Sequence, residues 1–242
     1  MNFENRHIGI NKNDELAMLN AIGCETIEEL CKKTLPKDID YELPNFNAQS
    51  EQTFETFIKN IAKKNKITHS FIGQGYFPSY CPSIIRRNIL ENPNWYTSYT
   101  PYQSEISQGR MEALINFQTV ITELTGLPIS NASLLDEGNA CSEAIFMAYQ
   151  YHKRKRKKVL ISTDCYESSI SVIKSRFKYL DIELIISDFN SLKIDDDYAA
   201  VIGQFPAKNG ELNDYSKIFN LCKEKNVVPI LAADLLALTL FK

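Results

Sequence analysis

Histidine is scarce in this 242-residue chain and cysteine is scattered: there are three His and six Cys, with no CxxC pair. His7, His69 and His152 have no partner at metal-ligand or triad spacing, so none is assigned a catalytic role and no metal site is expected. Cys24, Cys31, Cys81, Cys141, Cys165 and Cys222 support neither a zinc site nor a disulfide scaffold and read as buried free thiols. No apolar run approaches the roughly 18 residues that span a bilayer. The longest candidate, Val227 to Phe241, is interrupted by Pro229 and Asp234, so no membrane span is expected. The N-terminus, MNFENRHIGINKNDE, lacks the apolar core of a secretory signal and the acid-poor, Arg-rich character of a transit peptide. A cytoplasmic protein is expected. An excess of one charge is also missing, because 27 Lys and Arg face 30 Asp and Glu for a net charge of −3. Whole-surface attraction to nucleic acid or anionic lipid is thereby excluded, and any such binding must be local.

What remains is ordinary globular composition, 44% hydrophobic and 24% charged, in a chain long enough for one large α/β domain or two small ones. The first part reads as a helical arm over residues 1–65. Asn13 is a candidate cap for a turn carrying Leu16, Leu19 and Ala21 that leads to Gly23, and a second short helix runs from Ile27 to Lys33, before Pro36. From Ser50, a candidate N-cap, Phe54, Phe57, Ile58 and Ile61 recur at helical spacing, and that face should pack on something.

A loop-rich segment and long helix occupy 66–130. Gly73, Gly75, Pro78 and Pro82 punctuate it, and Pro82 suits the first turn of a helix with Ile84, Ile85 and Ile89 that ends before Pro93. Between Asn94 and Glu105 four aromatic rings stand among amides, hydroxyls and a carboxylate, a composition that suits a lined pocket or an interface and equally a plug at a domain junction. The next helix places Met111, Leu114, Phe117, Ile121 and Leu124 on one face and stops at Gly126-Leu127-Pro128.

From residue 131 to 242 the pattern becomes α/β. The stretch Ser133 to Ala140 leads into a helix with Ala144, Met147, Ala148 and Tyr151 on one side, and the helix start offers N–H groups to an anion such as phosphate. Short β-branched runs at 159–162, 182–187, 199–204 and 227–233 read as strands buried on both faces. Helices with Ile170, Ile173 and Phe177, and with Tyr215, Ile218, Phe219 and Cys222, alternate with them. This series predicts a mostly parallel sheet with ligands at the carboxyl ends of its strands, where Asp234 lies. The basic run Lys153 to Lys158 falls where a helix C-terminus meets a strand and reads as a solvated helix end, not a nucleic-acid site. Leu235 to Phe241 is almost wholly apolar without a cap or closing helix, which reads as an incomplete structural unit.

Three stretches, RHIG at 6–9, the run from FIGQGYFPSY through YTPYQSEISQGR to NASLLDEG at 71–138, and AADLLALTL at 232–240, closely resemble the N-terminal part of the glycine cleavage system P-protein family. The resemblance covers essentially the whole chain. It implies the large domain of a fold-type-I pyridoxal-phosphate enzyme, here incomplete and preceded by the helical arm, and it implies PLP-dependent decarboxylation of glycine with transfer of the aminomethyl group to the lipoyl arm of H-protein. By the same resemblance Asp234 is the partner of the pyridine nitrogen, Gly138, Asn139 and Ala140 hold the phosphate, and Tyr166 stacks on the ring. The family has a histidine where this chain has Tyr166 and a threonine where it has Asn139, so the pocket is degenerate. The Schiff-base lysine belongs to the family's C-terminal half or β subunit, and no lysine here lies in a matching motif. The isolated chain is therefore expected to be inactive, contributing Tyr99, Tyr102, Gln103 and Glu105 to a site completed by that partner in a homo- or hetero-oligomer. The alternative is a catalytically inactive structural or binding relative.

Overall fold

The computed structural model describes residues 7, 9–39, 47–96, 100–189 and 193–240. The chain divides into two compact units, residues 1–69 and 70–242.

Among its described residues the first unit carries the helices α1 (Lys12–Ala21), α2 (Ile27–Thr34) and α3 (Glu51–Ala62). The cap of α1 is Asn11, not Asn13: the Asn11 backbone is extended and its Oδ1 accepts the N–H groups of Asn13 and Asp14 at 2.9 and 3.0 Å. Asn13 lies inside the first turn, where it supplies a donor instead of an acceptor. Thr26 and Ser50 cap α2 and α3 through side-chain oxygens that accept the N–H of Glu29 and Thr53. The expected apolar stripe of α3 forms, but Phe54, Phe57, Ile58 and Ile61 all stand exposed.

In the second unit, helix α4 (Ser83–Ile85) runs on as one π-helical stretch, Arg86–Leu90. That helix ends at Leu90, before Pro93 as expected, and Pro93 opens a further short helix, α5 (Pro93–Tyr96), with the Asn92 side chain accepting the Asn94 N–H at 3.0 Å. A proline whose missing N–H would be orphaned anyway suits a first helical position. Helix α6 (Gln108–Thr125) ends at Gly126, as its sequence predicts, while Met111, Phe117 and Leu124 on the predicted apolar face stand exposed.

Then follow α7 (Glu137–Tyr151), β1 (Lys158–Ser162), α8 (Glu167–Phe177), β2 (Glu183–Ser187), β3 (Tyr198–Phe205), α9 (Ser216–Glu224) and β4 (Val228–Ala233), with a 3-10 turn at Leu235–Thr239. The strands make one parallel sheet in the order β2-β1-β3-β4. Alternation along the strands divides the core in two. Val159, Ile161, Ala200 and Ile202 meet Ile145 and Ala148 of α7 and Ile170, Ile173 and Phe177 of α8 on one side. Leu160 and Val201 meet Cys222 and Val227 on the other. This is the α/β architecture the strand pattern predicts. Burial on both faces holds for β1 and β3, whereas β2 and β4 sit at the edges and are only partly covered.

Helix α7 buries a different side from the one its sequence suggests: Cys141, Ile145, Ala148 and Tyr149 face inward, and Met147 and Tyr151 stand exposed. The cause is Gly138. A Cβ there would lie 3.0 Å from the Cβ of Val172, so its absence lets α7 lie close on α8 and turns the line of residues 138, 141, 145 and 148 toward the sheet. Gly138→Ala should therefore lower the thermal midpoint by wedging the two helices apart. Ile202→Ala, which empties a fully buried position of β3, should cost about 2–5 kcal/mol in urea unfolding.

Candidate functional site

Strands β1 and β2 run outward on one side, and β3 returns to the other side of β1, so the sheet has its switch point between β1 and β3. A cavity of about 450 Å³ opens at the carboxyl ends of β3 and β4, beside the N-terminus of α7. Its polar groups are Glu137, Tyr166, Gln204 and Asp234, set among apolar walls that include Phe77, Ala144, Ile230 and Leu231.

Asp234 stands directly after β4. Its N–H donates to the Phe205 carbonyl at 3.1 Å, and its Oδ1 accepts the Leu236 N–H at 2.9 Å, capping the 3-10 turn. Gln204, 1% exposed, donates from Nε2 to Glu137 Oε1 at 2.9 Å, which fixes the amide with its oxygen turned away from the carboxylate. That buried Oε1 has no hydrogen-bond partner. Tyr166, at the start of α8, is buried against Gly75: the glycine holds φ +83°, and a Cβ on it would fall 2.9 Å from the ring. Burial pushes the Tyr166 phenol above its usual range, and the carboxylates of Glu137 and Asp234 add to the effect.

The structure thus brings Asp234, Tyr166 and Ala140 together around one cavity. Gly138 packs against Val172, and Asn139 is committed elsewhere. Both the backbone N–H and Nδ2 of Asn139 donate to Asp136 Oδ1, at 2.7 and 2.9 Å, while its Oδ1 accepts from Arg176, which also pairs with Glu143. These bonds, led by the Asn139 N–H, hold the Asp136 carboxyl below its ordinary range. Tyr102, Gln103 and Glu105 are exposed and line neither this cavity nor the one described next; Tyr99 lies outside the described residues.

Pyridoxal phosphate would need free N–H groups or cations where α7 begins. There the chain presents its own Asp136 carboxylate, already holding the Asn139 N–H, followed by Glu137. No Lys, Arg or His is among the described residues lining the cavity. The residues present therefore do not fit the phosphate of that cofactor, even though Asp234 occupies the strand-end position expected of it.

Sequence reasoning missed Gln204 and Glu137 as members of the site. They are 67 positions apart, and only the fold joins them. It also missed a neighbouring polar cluster in a cavity of about 860 Å³ beside the ends of β1 and β2. Asp164 Oδ2 there accepts from Ser162 Oγ at 3.1 Å and Asn213 Nδ2 at 3.0 Å, and lies 3.3 Å from the Tyr215 hydroxyl, which is 3.0 Å from the Gln204 carbonyl. The basic run closes the helix–strand junction. Arg156 donates to the carbonyls of Tyr198 and Lys225, Lys157 pairs with Asp181, and Lys158 with Asp197 at 3.0 Å.

The profile of the family described as Glycine cleavage system P-protein matches residues 5–242. The chain belongs to that family. Among similar proteins of the P-protein type, glycine dehydrogenase (decarboxylating) of Nostoc sp. is 44% identical over 99% of this chain and 24% of its own length. The enzyme of that name from Pelagibacter ubique is 44% identical over 99% of the chain and 25% of its own length, and the mitochondrial one of Pisum sativum 40% over 99% and 23%. The chain spans about a quarter of the length of these P-proteins. A crystal structure of glycine decarboxylase (P-protein) of the glycine cleavage system, in inhibitor-bound form, superposes with a TM-score of 0.81 at 25% identity, covering 98% of this chain and 55% of that one. The fold is thus the P-protein fold.

Burial raises the thiols of Cys141 and Cys165 to about 12 and that of Cys222 to about 11, and raises the Tyr215 phenol to about 12 with help from Asp164. These folded values exceed the ordinary 9.0 and 10.0, so the stability the groups contribute is present below pH 9 and is lost as pH climbs through the folded values. Not every cysteine is buried as expected: Cys81, on the loop-rich stretch before α4, is exposed and Cys31 is half-buried. The urea midpoint should accordingly be level from neutral pH to about 9 and then fall steadily, while an aromatic disulfide reagent at pH 8 modifies exposed Cys81 and leaves the thiols of Cys141, Cys165 and Cys222 unmodified until urea is added.

Proposed function

We propose that this chain is the N-terminal module of a glycine dehydrogenase (decarboxylating). In this reading it works in the cytoplasm within a homo- or hetero-oligomer, and the C-terminal half or β subunit of the P-protein carries the lysine and the pyridoxal phosphate. The whole protein would remove carbon dioxide from glycine and pass the aminomethyl group to the lipoyl arm of H-protein. The observation that carries the reading is the family match across residues 5–242 in a chain that spans about a quarter of its relatives' length.

In this reading the module's task is to position and to shield. Tyr102 presents its ring outward at 85% exposure, and Gln103 and Glu105 stand exposed beside it. An amide next to a carboxylate and a phenol can orient the carboxylate and amino group of a bound amino acid from across an interface, and the rings of Tyr99 and Tyr102 can keep water from the reacting carbon. A second reading, a non-catalytic relative that only scaffolds its partner, is favoured by the acid-lined cavity at the α7 N-terminus, which does not suit the cofactor's phosphate.

The two readings part in one assay. Alone, the chain should exchange no carbon dioxide into glycine; mixed with the lysine-bearing part of a related P-protein and lipoylated H-protein, it should restore exchange, and Gln103→Ala should lower that rate by about tenfold or more at unchanged complex formation. A complex that forms and exchanges equally well with Tyr102→Ala, Gln103→Ala and Glu105→Ala together would leave the scaffold reading standing instead.

A further inference from the structure

The cavity beside the α7 N-terminus has a sign and a hydrogen-bonding polarity of its own. It is lined by the carboxylates of Glu137 and Asp234 and by Gln204, and by no cationic residue among those described. Gln204 is the telling member. It is 1% exposed, its Nε2 is fixed on Glu137, and its Oε1 is a buried acceptor without a donor. A buried amide oxygen left unpaired is costly, which makes such a group a marker for something that binds. Register places it well: Gln204 of β3 pairs with Ala232 of β4, two residues before Asp234, so the amide and both carboxylates converge on the carboxyl end of the same strand pair. Among the described lining residues the polar side-chain groups are acceptors, apart from the Tyr166 hydroxyl and Gln204 Nε2, which donates to Glu137. Around it Ile230, Leu231 and Phe77 supply apolar walls.

We propose that this cavity is a binding site for a cationic N–H donor, an alkylammonium or guanidinium group seated between Glu137 and Asp234 with a hydrogen bond to Gln204 Oε1. Opposite charge satisfies both carboxylates, a planar or tetrahedral set of donors reaches the amide oxygen, and a short aliphatic body covers the apolar walls. The cation comes either as a free small amine or as a Lys or Arg side chain from another part of the P-protein. The site does not depend on the proposed catalytic role of the chain.

Methylguanidinium and n-propylammonium are suitable probes, titrated into the isotopically labelled full chain at constant ionic strength, with acetamide as the neutral control. The Gln204 side-chain amide resonance should shift saturably with the cations and not with acetamide. Glu137→Gln should weaken binding at least tenfold while Glu224→Gln leaves it unchanged. Should Glu137→Gln fail to fold, Ala140→Leu, which fills the cavity from the exposed side of α7, should abolish the shift in its place. Titration of the assembly with the lysine-bearing part distinguishes the sources: a free amine site stays open to the probes, and a site filled by a partner side chain shows the shifted Gln204 signal without any probe. A Gln204 resonance that is unmoved by both cations in the isolated chain, or that moves equally with acetamide as a site holding only water would, overturns the proposal. The carbon dioxide exchange assay reads the catalytic proposal separately, so either can fail without the other.

Discussion

Strand β3 is buried along its whole length, Tyr198 to Phe205, between the helices on the two faces of the sheet, and the remaining features of the second unit follow from that constraint. A strand with no wet face tolerates small and β-branched residues through its middle, here Ala199, Ala200, Val201 and Ile202, and confines polar groups to its end. Gln204 is that end. Because its amide is buried it must find partners in the chain or in a ligand of the cavity it lines, and Glu137 from the start of α7 satisfies half of it. The position of α7 is set in turn by Gly138 against Val172, so a missing methyl group in one helix determines which carboxylate reaches the sheet.

The same contacts fix the electrostatics. A helix N-terminus at a strand rim is a ready anion site when its N–H groups are free. Here Asp136 takes up the Asn139 N–H and its side-chain amide, and Arg176 is drawn away to Asn139 and Glu143, leaving the cavity to acceptors. The P-protein fold is present and Asp234 stands at a strand end beside the cavity, yet the described residues at the α7 N-terminus beside it are acidic, not cationic. The proposed N-terminal module, supporting chemistry held elsewhere in the P-protein, accounts for both facts.

Much of the fold was legible because its signals are local. Four β-branched runs gave four strands, alternation gave the parallel sheet, and Ser50 and Gly126 mark helix boundaries in the sequence itself. Where reasoning failed, the decisive contact was distant or a neighbour competed. Asn11 displaced Asn13 as the α1 cap because its extended backbone aims the side chain at two N–H groups. The inward face of α7 depends on Val172, 34 positions beyond Gly138, and no periodicity within the helix reports it. The site was half legible: Asp234, Tyr166 and Ala140 share one cavity, whereas the Glu137–Gln204 bond joins residues with no common pattern, and Tyr102, Gln103 and Glu105 face outward, away from it.

The claim on which the account turns is that the α7 N-terminus of this chain is closed to anions. Phosphorus NMR of pyridoxal phosphate, titrated with the isolated chain at neutral pH, addresses it directly. The account predicts a phosphorus resonance that neither shifts nor broadens saturably as protein is added. A saturable shift with the unaltered chain would show phosphate seated in the pocket and contradict it.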